Sequence, residues 1–77
     1  MIVTFGSGVY GKRADKLLQS FGKNAIVFTD NNTILWGKEV HGKSVIEPKE
    51  CFENYPDAMY IIANQKYWYD ITLQLIE

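Results

Sequence analysis

The stretch IVTFGSGVYGKRADKLLQSFG, Ile2 to Gly22, constrains the fold of this chain more than any other. It sets three glycines, Gly6-x-Gly8-x-x-Gly11, between two different hydrophobic periods. Ile2 to Phe5 is a short apolar run of β-favouring residues, as expected of a strand buried on both faces. Beyond the glycines, Ala14, Leu17, Leu18 and Phe21 recur at i, i+3, i+4 and i+7, the spacing of one apolar helix face. Lys12, Arg13, Asp15, Lys16 and Gln19 fall on the opposite face, and Gly22 is placed to close the helix in a left-handed conformation. The order is strand, tight turn, helix, which calls for a crossover to a parallel strand.

The rest of the chain supplies such strands. AIVFTD, Ala25 to Asp30, is a second apolar β-rich run, halted by the turn-forming Asp30-Asn31-Asn32. TILWGKEVHGKSVIEP is punctuated by Gly37, Gly42 and Pro48 and reads as a loop followed by a short strand at Ser44 to Ile46. Pro48 to Asn54 fits a brief helix with its proline in the first turn. AMYIIAN, Ala58 to Asn64, is a third apolar strand, and KYWYDITLQLIE is helical. The expected fold class is therefore α/β: a half-Rossmann unit with a parallel sheet of about four strands and flanking helices, formed by residues 1–77 as one domain. Right-handed crossovers put the first strand in the middle, the second and the short strand to one side, and AMYIIAN on the other.

With 77 residues and 47% hydrophobic content, a core is affordable but thin. A ligand, a second copy or a larger parent chain is expected to support it. The net charge of −1 and the lack of a Lys/Arg run give no field for a nucleic-acid backbone. A single cysteine, Cys51, fits a reducing compartment, and no segment has the length of a membrane span or the pattern of a signal peptide. A cytoplasmic protein without nucleic-acid or membrane partners is the expectation.

The glycines also have a chemical reading. After a strand and before a helix, Gly6 permits the tight turn, Gly8 lets a pyrophosphate approach the backbone, and Gly11 lets the helix pack close to the sheet. The helix beginning near Val9 or Tyr10 then presents free N–H groups and its positive dipole end to the phosphate. Such sites place an acid about twenty residues further on to bond the ribose, and Asp30 follows Gly11 by nineteen. An acid there repels a 2′-phosphate, which favours NAD over NADP. Against this stands a plain glycine-rich turn in a protein that binds nothing, with Asp30-Asn31-Asn32 as an ordinary turn.

The segments FGSGVYGKRADKLL, VFTDNNTILWGKEVHGKSVIEP and AMYIIAN together resemble the small Rossmann-type nucleotide-binding domain of bacterial surface-polysaccharide and nucleotide-sugar proteins. That domain accompanies sugar epimerase/dehydratases, sugar acetyltransferases, and some glycosyltransferases and methyltransferases. The matching elements are Gly6 to Gly11, Asp30-Asn31, Trp36-Gly37-Lys38, Gly42 to Pro48, and Met59 to Ala63. The resemblance implies binding of NAD(P) or a nucleotide-sugar: Gly6, Ser7, Gly8, Val9, Tyr10 and Gly11 on the phosphates, Asp30 and Asn31 on the ribose or base side, Ala63 and Asn64 lining the crevice. Members usually continue into a second half or a catalytic domain, so no reaction follows from the resemblance.

No catalytic or metal site emerges. His41 lacks ligand partners at a telling spacing and reads as a solvent-facing loop residue. Cys51 reads as a packing or surface thiol. Tyr10 and Lys12 are too close to form the Tyr-x-x-x-Lys dyad of short-chain dehydrogenases. Trp36 anchors its loop or, alternatively, stacks on a ligand base. In the last helix, apolar residues from Tyr67 to Ile76 span an arc of about 240°. With the free edge of AMYIIAN, this points to a missing neighbour, either a second copy or further domains. Three functions remain open: a nucleotide-binding module, the N-terminal part of a nucleotide-sugar enzyme or transferase, and a structural or dimerisation module that lost its ligand.

Overall fold

A computed structural model describes residues 1–76. The chain runs β1 (Ile2–Phe5), α1 (Val9–Ser20), β2 (Val27–Thr29), a 3-10 turn (Thr33–Leu35), β3 (Glu39–Val40), β4 (Lys43–Ile46), α2 (Pro48–Asn54), β5 (Met59–Ile62) and α3 (Trp68–Ile76). It is an α/β fold with one five-stranded, mostly parallel mixed sheet of order β3-β4-β2-β1-β5 and three helices. β1 is central and runs parallel to β2, with Val3 opposite Val27, and to β5, with Val3 opposite Tyr60. β2 pairs parallel with β4.

The sheet has five strands where the sequence suggested about four. The additional strand, β3, is antiparallel to β4 and joined to it by the two-residue turn His41-Gly42. Both turn residues have positive φ, 50° and 75°, the type I′ geometry whose twist matches a hairpin. A two-residue strand shows no alternation, and histidine is an uncommon first residue for such a turn. Those two facts hid the hairpin.

Burial explains the strands. Val3, Thr4 and Phe5 are all buried, as a central parallel strand requires. Val3 and Val27 pack with Cys51 of α2, supported by Ile46, Tyr55, Ala58 and Tyr60. Phe52 extends this layer, its ring 6.2 Å from Phe5 and 5.5 Å from Tyr60. On the other face, Phe28 lies beneath Gly11 of α1. Each fully buried phenylalanine contributes roughly 1.5–3 kcal/mol by leaving water. α1 ends in a Schellman motif: Lys23 N–H donates to Leu18 O and Gly22 N–H to Gln19 O, both at 3.0 Å, with Gly22 at φ 72°.

The orientation of α1 differs from the sequence reading. Asp15, assigned to the polar face, is 0% exposed, whereas Leu17 and Phe21 are 61% and 73% exposed. The cause lies one turn earlier. Gly11 must press against the Gly6 carbonyl, which turns the Gly11–Asp15–Leu18 stripe inward. Asp15 is compensated there by Lys43 Nζ at 2.5 Å, His41 Nδ1 at 3.1 Å and Gln19 Nε2 at 3.4 Å. α1 is thereby locked to the β3–β4 hairpin by charge rather than by the apolar stripe.

α3 leaves β5 and buries Ile71. Gln74 and Asn31 exchange amide hydrogen bonds of 3.0 and 3.2 Å, which tie α3 to the end of β2. Among the described residues, no helix is long and apolar enough to cross a membrane.

Candidate functional site

The three glycines separate by what a Cβ would meet. Gly6 has φ 116°, and a Cβ there would lie 2.5 Å from the Ala63 carbonyl oxygen. A Cβ on Gly11 would collide with the Gly6 carbonyl. The fold demands both glycines, and together they bring β1, α1 and the end of β5 into close approach. Gly8 is different. Its φ of −83° lies on the side of the map that L-residues use, and no atom stands within 4 Å of an added Cβ. No packing contact inside the molecule requires a glycine at this position.

Gly8 is the N-cap of α1. Its carbonyl accepts from Lys12 N–H at 3.0 Å, but no side chain caps the first turn and no acidic residue occupies it. The amides at the start of this twelve-residue helix therefore lack the side-chain acceptor that usually satisfies them. They open onto a cleft of about 470 Å³ between the turn (Gly6, Gly8, Val9, Tyr10) and the segment after β5 (Ala63, Asn64, Gln65, Lys66). The cleft sits at the carboxyl ends of β1 and β5, which are neighbours in the sheet. Tyr10 and Gln65 hydrogen-bond across it.

A second cavity of about 520 Å³ adjoins the first through Gly6 and Asn64. Phe5, Ile71 and Tyr67 form its apolar part, and Asp30, Asn31, Asn32 and Asp70 its polar part. It has two carboxylates and no lysine or arginine, so it is hostile to an anion.

Asp30 stands between these spaces and is already in use. Its Oδ2 accepts from both the N–H and the hydroxyl of Ser7 at 2.9 Å, and its Oδ1 accepts from Asn32 N–H at 2.9 Å. A carboxylate has about four acceptor positions, so one remains. Ser7 itself is buried and its two donors are committed to Asp30, which removes it from direct contact with any ligand in this conformation. Asn64 lines both cavities, while its Oδ1 accepts from Lys66 and Tyr67 N–H ahead of α3. Ala63 lines the cleft, and Asn31 lines the second cavity while holding Gln74. The structure thus gathers the ten residues read from the sequence at one end of the sheet, but as two layers. Gly6, Gly8, Val9, Tyr10, Ala63 and Asn64 line the cleft, Asp30 and Asn31 line the second cavity, Ser7 holds Asp30 from behind, and Gly11 lines neither cavity.

Sequence reasoning missed Gln65, Lys66, Tyr67 and Asp70, which complete the cavities. They lie just past the last strand, and only the rule that ligands gather at strand carboxyl ends could have marked them. Trp36 anchors its loop: its indole N–H donates to Asp30 O at 2.6 Å. His41 is not simply solvent-facing, since its ring is 32% exposed and rests against Asp15. It lines neither cavity. Cys51 is fully buried, and desolvation pushes its thiol above the ordinary value, only partly offset by the Tyr60 hydroxyl. Burial likewise pushes the Tyr60 phenol upward. Neither is poised for chemistry. No group of three His, Cys, Asp or Glu residues that could hold a metal ion occurs among the described residues. The chain matches no protein-family model, and no curated protein matches it either.

Proposed function

We propose that this chain is a half-Rossmann nucleotide-binding module that holds NAD or a nucleotide-sugar by its pyrophosphate at the Gly6–Gly11 turn. The observation that carries this reading is Gly8. Gly6 and Gly11 are accounted for by the fold, so they cannot discriminate between a cradle and a plain turn. Gly8 meets no packing demand from the chain, and its bare backbone leaves room for a phosphate at van der Waals distance. It also caps a helix whose first turn lacks a side-chain acceptor, the arrangement that suits an anion.

In this reading the first-turn amides of α1 hold the phosphates, and Asp30, with its remaining acceptor position, takes a ribose hydroxyl. The acidic second cavity supports NAD over NADP, because Asp30 and Asp70 would repel a 2′-phosphate there. The reading agrees with the resemblance to nucleotide-binding domains of bacterial surface-polysaccharide and nucleotide-sugar proteins. It assigns binding and no reaction to these residues.

One observation favours a second reading, a structural module without a ligand. Ser7 closes the turn onto Asp30 through two hydrogen bonds, so the loop is held without any anion. Thermal-shift titration with NAD, NADP and a UDP-sugar separates the two. Binding predicts a rise in Tm with NAD or the UDP-sugar, about 2.7 kcal/mol of stabilisation at a hundredfold excess over Kd. An unchanged Tm with all three at millimolar concentration supports the structural module instead.

A further inference from the structure

We propose that two copies of this chain associate by pairing their β5 edges antiparallel about a two-fold axis at Ile61. The two five-stranded sheets then become one of ten strands. This inference stands apart from the nucleotide reading and does not rest on it.

β5 is bonded on one side only. Met59 N–H donates to Met1 O and Ala63 N–H to Phe5 O, both at 2.8 Å, which turns the odd-numbered residues toward β1. By the alternation of a strand, the N–H and C=O groups of Tyr60 and Ile62 point outward. Among the described residues, β5 has no second strand neighbour. Monomeric proteins blunt such an edge with charge, proline or a bulge. Here the eight residues from Ala58 to Gln65 contain no charge and no proline.

The edge suits its own copy. Placing Ile61 opposite Ile61 of the second copy aligns Tyr60 with Ile62 on both sides of the axis, and each such pair exchanges two backbone hydrogen bonds. Met59, 66% exposed, then lies opposite Ala63, next to the open groove formed by Tyr10, Ala14, Ile61 and Trp68. Trp68 is itself 57% exposed. The first charges flanking the uncharged stretch are Asp57 and Lys66, of opposite sign. In this register Asp57 lies opposite Gln65 of the other copy, one residue from its Lys66, so antiparallel pairing sets unlike charges near each other, whereas parallel pairing would set like charges together. The interface is isologous, so it closes at two copies.

Sedimentation equilibrium and cysteine trapping of the full chain test this. The expected result is a dimer that Ile62→Pro dissolves, because proline removes one outward N–H without disturbing the ladder to β1. Asp57→Lys should weaken association by about fivefold to tenfold, and Asp57→Lys with Lys66→Asp should restore it. Ile61→Cys should give a disulfide-linked dimer under mild oxidation, since non-hydrogen-bonded partners stand about 4.5 Å apart at Cα. Buried Cys51 does not compete in the native state. If Ile62→Pro fails to fold by circular dichroism, the charge swap and the trap decide. A monomer at millimolar concentration overturns the proposal, as does a dimer indifferent to the charge swap and to Ile61→Cys.

Discussion

Asp15→Leu is the substitution with the largest expected effect on stability. Leucine matches aspartate in shape but cannot pair, and it leaves the Lys43 ammonium without its partner at 2.5 Å. Removing one member of a buried ion pair costs about 3–5 kcal/mol, mainly through the charge left behind. Asp15 is 0% exposed and the Lys43 side chain 14% exposed, so the lysine reaches water in part and the low end, about 3 kcal/mol, applies. A chain of 77 residues has a total stability of roughly 4–12 kcal/mol. The variant therefore loses a quarter to most of it, and Tm falls by about 12–24 °C. Urea denaturation followed by circular dichroism measures the change. Lys43→Met in the Asp15→Leu background should recover most of the loss, with a coupling energy of about 2 kcal/mol. A cost under about 1 kcal/mol for Asp15→Leu, or coupling near zero, refutes the claim that charge locks α1 to the β3–β4 hairpin.

The glycines should separate by stability: Gly11→Ala costs about 1–3 kcal/mol through its clash with the Gly6 carbonyl, while Gly8→Ala costs about 0.5–1 kcal/mol, the loss of a favourable N-cap residue without a clash, both read from urea midpoints. Gly22→Ala forces a side chain into φ 72° and should cost about 1 kcal/mol. Cys51 and Tyr60 both have folded pKa values raised above their ordinary ones by burial. Their contribution to stability is whole below the ordinary thiol value of 9.0 and is lost as pH rises beyond it, so urea midpoints should fall in alkali. For the same reason, native protein at neutral pH should resist thiol alkylation until urea unfolds it.

The sequence carried the order of the central strands because β1, β2 and β5 are strong apolar runs joined by helices, and right-handed crossovers with α1 and α2 on opposite faces set β1 between β2 and β5. The α2 boundaries were legible from Pro48, which fixes the first turn. Two features were not legible, for physical reasons. Helical periodicity ranks faces by hydrophobicity, but α1 is oriented by contact between Gly11 and Gly6. A glycine adds nothing to a hydrophobic pattern, so the buried stripe with Asp15 ran against that pattern. Lys43 and His41 then had no visible partner, because the hairpin that delivers them rests on a two-residue turn. At the site, the glycine fingerprint was plain, but its three members look alike in sequence. Only the packing around each one distinguishes Gly8 from the two that the fold itself requires.

The claim that Gly8 is bare for the sake of a ligand is tested most directly by amide NMR of the native chain and of Gly8→Val during titration with NAD and a UDP-sugar. The account predicts shifts at residues 6–11 and 30–31 for at least one ligand in the native chain. It predicts none in Gly8→Val, whose fold is confirmed by circular dichroism and whose added Cβ enters open space. Unperturbed spectra in the native chain at millimolar ligand, or equal binding by a folded Gly8→Val, would contradict it.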